Sequence, residues 1–105
     1  MIFTGKHWWA NNSKVIEGNV KEAIVRKNDT EIIIDCENGD HVKLNSQDGI
    51  NFMGEYQRNG IKAGSCEFML YKNKKGNYLL KGGYSDAEDE TGVWVIELNT
   101  TKYVK

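Results

Sequence analysis

The side chains in this chain best equipped for chemistry are His7 and three aromatic residues that each stand two places after a glycine: Tyr56 after Gly54, Tyr84 after Gly82, and Trp94 after Gly92. His7 lies in an apolar stretch where strand alternation sets it on one face with Phe3, Gly5 and Trp9. An imidazole on an inward face can hydrogen-bond a ligand or titrate near neutrality. Tyr56, Tyr84 and Trp94 offer planar faces for stacking, with phenol and indole groups to orient what stacks on them. The four therefore read as candidate ligand-binding residues, and the same residues would serve equally as core.

Other chemistry is harder to assemble. Asp35, Cys36, His41 and Cys66 are ligand types that suit zinc, but their spacing matches no paired ligand pattern, so no metal site and no cofactor are expected. The acidic run from Ser85 to Thr91 lacks the alternating oxygen ligands and glycine bend of a calcium loop and reads as a solvated connection. There is no nucleophile elbow and no phosphate loop, the chain has two histidines, and neither cysteine has an evident activating neighbour. The expectation is a protein that is not an enzyme.

Charge is local rather than global. Lys72, Lys74 and Lys75 cluster at a turn, whereas Asp86, Glu88, Asp89 and Glu90 make an acidic loop. Opposite patches of this kind steer association with a charged protein partner. Lysines beside Tyr71 and Tyr78 also have the makings of a single-strand nucleic-acid contact, but so small a patch on a chain of formal net charge −1 disfavours it.

The elements that must position these residues are strands. The stretch from Cys66 to Tyr71 and that from Asn77 to Tyr84 flank a polar segment with Gly76 near its end, which is a hairpin signal. The segment from Gly92 to Leu98 follows as a further strand, with Trp94, Ile96 and Leu98 on one face and Val93, Val95 and Glu97 on the other. The first strand spans Ile2 to Trp9, before a turn-like Asn11, Asn12 and Ser13. Residues 14–27 read as a strand or as a short helix capped by Ser13. Between Glu31 and Asn45 the register can be argued. A three-residue loop at Glu37, Asn38 and Gly39 sets Ile34 opposite Val42 and Ile32 opposite Leu44, whereas a two-residue turn would mix apolar and charged positions. The next strand runs from Ile50 to Tyr56, with Ile50, Phe52 and Tyr56 on one face, and Arg58, Asn59 and Gly60 mark another turn.

About seven or eight short strands at this spacing imply an all-β fold: one small antiparallel up-and-down barrel, or a strongly coiled meander. At 105 residues, with 39% hydrophobic and 10% aromatic content and no proline, a single domain over residues 1–105 is expected. No signal-peptide core and no run of about eighteen apolar residues occurs, so a soluble cytoplasmic chain with free thiols at Cys36 and Cys66 is the expectation, without a membrane role.

The recurring Gly-x-aromatic pattern at Gly54 and Tyr56, Gly82 and Tyr84, and Gly92 and Trp94, set in a meander of short strands, resembles the calycin-like small barrels, the avidin and lipocalin group. In the first strand, Gly5 is followed by Lys6 and His7, with Trp8 one place late and on the opposite face. The resemblance implies a non-catalytic binder with a small ligand in the barrel mouth. The alternative is a protein-binding module, of inhibitor or immunity type, that acts through the charged patches. Either is compatible with a monomer or a homodimer, the latter favoured if sheet edges stay open.

Overall fold

The loop at Glu37 to Gly39 shows how closely side-chain pattern governs register here. Ile34 pairs with Val42 and Ile32 with Leu44, apolar against apolar, and Gly39 takes a φ of 96°. That conformation is strained for any residue with a side chain. The same logic runs around a computed structural model that describes residues 2–11, 21–37, 39–72, 77–86 and 91–99. Among the described residues eight strands form in chain order: β1 (Ile2–Asn11), β2 (Lys21–Lys27), β3 (Glu31–Cys36), β4 (Asp40–Asn45), β5 (Asn51–Arg58), β6 (Ile61–Lys72), β7 (Tyr78–Asp86) and β8 (Thr91–Asn99).

Each strand pairs antiparallel with the next, and β8 returns to pair with β1, so the sheet closes into an up-and-down barrel. Closure leaves no unpaired sheet edge. The part of the ambiguous 14–27 segment that is described, Lys21 to Lys27, is strand, and residues 12–20 lie outside the described residues. No helix among the described residues is long and apolar enough to cross a membrane.

Alternation along every strand sends one set of side chains inward. Phe3, Val25, Ile32, Ile34, Val42 and Leu44 are fully buried on the first half of the barrel, and Phe52, Phe68, Leu80, Ile96 and Leu98 on the second. Closing so small a barrel demands sharp coiling, and inward glycines supply the room. A Cβ at Gly5, Gly54 or Gly82 would overlap a carbonyl oxygen of the adjoining strand, respectively that of Glu97, Lys43 and Glu67.

Two expectations are corrected. Ile50 does not share the inward face of Phe52 and Tyr56. It is half exposed, in the bend where Asp48 Oδ1 accepts the backbone N–H of Ile50 and of Asn51, and the strand begins only at Asn51. The strand expected from Cys66 begins earlier, at Ile61. The turn at Asn59 and Gly60, both with positive φ, forms a tight hairpin, and a bulge at Ala63 then restores inward parity for Gly64 and Cys66.

Candidate functional site

The two ends of the barrel differ in chemistry. At the end where β1 and β5 begin, inward positions hold Phe3, Ile32, Leu44, Phe52, Leu80 and Leu98, all fully buried or nearly so. Phe3 meets Tyr78 edge-on at 5.7 Å, and the ammonium groups of Lys27 and Lys72 stand 5.1 and 5.6 Å from the Tyr78 ring centre. This end is an apolar plug.

The opposite end, where β1, β5 and β7 finish and β8 starts, gathers most of the inward side chains that can hydrogen-bond. His7, singled out by strand alternation, and Tyr56, Tyr84 and Trp94, singled out by the glycine spacing, are brought together there. The Trp94 ring is the hub: Tyr56 meets it edge-on at 5.2 Å, Tyr84 at 6.1 Å, and Phe68 at 5.8 Å in a tilted contact. Trp94 Nε1–H donates to His7 Nδ1 at 3.1 Å, both residues being buried. That bond requires Nδ1 to be unprotonated, so a neutral His7 carries its proton on Nε2. His7 in turn stacks against Trp9 at 5.8 Å. Trp9 and Tyr84 are half-buried and form the accessible part of the cluster.

Asp40 and Arg58 complete this end and were not foreseen. Asp40 is buried, and its carboxylate accepts hydrogen bonds from Arg58 Nε at 2.7 Å and Nη2 at 3.2 Å. This bond is the main reason the Arg58 guanidinium is held above its ordinary pKa. Strand parity contained the signal. Asp40 lies two places before inward Val42, Arg58 two places after inward Tyr56, and the two pair directly across β4 and β5. Opposite charges facing each other at such positions mark an ion pair, here with the Asp40 carboxylate buried and the Arg58 side chain half exposed. Burial, with Asp86 as the next influence, pushes the Tyr56 hydroxyl up to about 12, so it is a neutral phenol at physiological pH.

The remaining sequence candidates are dispersed. Asp35 and His41 face outward, 2.6 Å apart, while Cys36 and Cys66 face inward as buried free thiols, so these four do not converge. Among the described residues no group of three histidine, cysteine or carboxylate side chains is placed to hold a metal. Burial pushes both thiols up to about 12, which makes them poor nucleophiles. Of the charged patches, Lys72 is at the plugged end and Asp86 at the aromatic end. They are separated by the length of β7, roughly 26 Å at about 3.3 Å per residue. Lys74, Lys75, Glu88, Asp89 and Glu90 lie outside the described residues. Compared with protein-family models, curated proteins and solved structures, the chain matches none.

Proposed function

We propose that this protein is a non-catalytic binding module of calycin-like type that holds a compact ligand at the aromatic mouth of its barrel. The observation that carries the reading is the polarity of the barrel interior: aliphatic and phenylalanine side chains with Tyr78 plug one end, and His7, Trp94, Tyr56, Tyr84 and the Asp40–Arg58 pair collect at the other. The rings beneath the mouth pack on one another, so the ligand sits on the rim. Trp9 and Tyr84 supply stacking surface, Arg58 a cationic edge, and Tyr56, Trp94 and His7 form the floor. The buried free thiols suit a reducing compartment such as the cytoplasm.

Native mass spectrometry of the purified protein beside its denatured mass tests this. An adduct lost on denaturation, and depleted in Tyr84→Ala with an unchanged β-sheet circular-dichroism spectrum, is the expected result. An adduct retained equally by Tyr84→Ala, or a bare mass with no thermal shift across a panel of aromatic ligands, would overturn it. The close packing of rings favours as second reading a protein partner engaged through the charged ends near Lys72 and Asp86. In that case charge reversal at either end slows association in a salt-dependent way.

A further inference from the structure

The outer wall of the barrel has two characters. On β2 to β4 the outward positions are dominated by charge and cross-linked: Asp35 bridges Arg26 at 3.1 Å and His41 at 2.6 Å, and Lys43 stands 3.9 Å from Glu31. On β5 to β8 the outward positions are mixed, with Glu55 bridging Lys62 at 2.9 Å, but exposed apolar side chains cluster among them. Met53 is 60% exposed, Met69 43%, Tyr71 46% and Val93 42%, and Leu79 and Val95 beside them are half-buried. Register makes this one surface. Met53, Glu67, Gly83 and Val93 form a row across four strands, and Met69, Lys81 and Val95 lie in the next. Gly83 stands near the centre without a side chain, and the wall is dented there into an open concavity of about 690 Å³, bordered by Met53, Glu55, Ser65, Glu67 and Ser85.

We propose that this β5–β8 face binds a second copy of the same chain, in a homodimer with two-fold symmetry. Two features select that occupant. The first is charge. Glu67 and Lys81 are exposed diagonal neighbours on β6 and β7, and among the described residues neither takes part in an ion pair. A two-fold axis lying in the interface, perpendicular to the line joining them, sets each Glu67 against the second copy's Lys81. The face thereby complements itself, as an isologous interface must. The second feature is size. Four strands spaced about 4.8 Å apart, over some seven residues each, project a face of roughly 20 by 23 Å. That projection, about 460 Å², is little more than half of the about 800 Å² per partner of a standard stable interface, which fits a weak, concentration-dependent dimer. Because the barrel is closed, association uses this face rather than an unpaired strand edge.

The concavity is also lined by Tyr84, which supplies stacking surface at the mouth, so the variants that test dimerisation are placed at Glu67, Lys81 and Val93, which stand on the side of the barrel and not in the mouth. Sedimentation velocity over a concentration series tests it. The unmodified chain is expected to move from monomer to dimer with rising concentration, and Val93→Glu to remain monomeric with an unchanged far-ultraviolet spectrum. Glu67→Lys and Lys81→Glu should each weaken dimerisation by about tenfold or more, and the double exchange should restore most of the loss. A chain that stays monomeric at every concentration, a dimer unmoved by Val93→Glu, or a double exchange no tighter than the single reversals would each overturn it.

Discussion

At the scale of single residues, the hydrogen bond from Trp94 to His7 settles how the centre of the aromatic end is built. The indole N–H is buried and donor-only, so it needs an acceptor, and the unprotonated Nδ1 of His7 provides one. Replacing His7 with phenylalanine keeps bulk but leaves that donor without its acceptor, and should cost about 1–3 kcal/mol of stability in a urea titration. His7→Gln, which retains an acceptor, should lose less. Equal losses in the two variants would mean that ring packing, not the hydrogen bond, holds Trp94 in place. The position of His7 on the inward face was legible from alternation in β1. Its partner was not, because Trp94 is 87 residues away and meets it only when β8 closes on β1.

At the scale of elements, glycine position within a strand decides between closure and exposure. Gly82 and Gly83 are adjacent in β7 yet meet opposite circumstances. A Cβ on inward Gly82 would overlap the Glu67 carbonyl and press on the Phe68 Cα, whereas a Cβ on outward Gly83 would meet nothing nearer than the Gly92 carbonyl at 3.4 Å. Gly82→Ala is therefore expected to destabilise by about 1–3 kcal/mol or more, because backbone must move. Gly83→Ala should change stability by less than about 0.5 kcal/mol. Thermal or urea denaturation of the pair checks this, and similar losses in both would remove the argument that inward glycines permit the coil of the sheet. The recurrence of these glycines was visible in the sequence at Gly54, Gly82 and Gly92. Gly5 belongs with Gly54 and Gly82, since all three admit the close approach of a neighbouring backbone, whereas Ile50 fails its expected place because Asp48 captures the backbone ahead of the strand.

At the scale of the whole molecule, three acids on different strands, Cys36 on β3, Tyr56 on β5 and Cys66 on β6, are buried in one closed interior. Burial raises Cys36 and Cys66 from 9.0 to about 12 and Tyr56 from 10.0 to about 12. A folded-state value above the unfolded one means that the stability linked to the group is fully present below pH 9. It is lost as pH rises toward 12, because only the unfolded chain releases the proton early. Urea midpoints should therefore show no pH dependence from these groups below pH 9 and a progressive fall above it. Cys66→Ser should flatten part of that fall. A midpoint as high at pH 11 as at pH 8 would contradict the burial of these groups. The clustering of exposed Met53, Met69 and Val93 on one side of the outer wall is likewise a property of the assembled barrel, since it brings together strands far apart in the chain.

The sequence by itself determined what local rules can reach. Alternation identified the strands and their inward faces, apolar matching chose the register at Glu37 to Gly39, and recurring glycines pointed to a coiled, closing sheet. Only the tertiary structure decided which inward residues meet. Closure of β8 on β1 brings Trp94 to His7, pairing of β4 with β5 joins Asp40 to Arg58, and strand direction sends all of them to one end while phenylalanine and aliphatic side chains fill the other. The physical reason is that periodicity fixes the side on which a residue lies. Its neighbours there are set by pairings between strands, whose ring closure becomes definite only when the whole barrel forms.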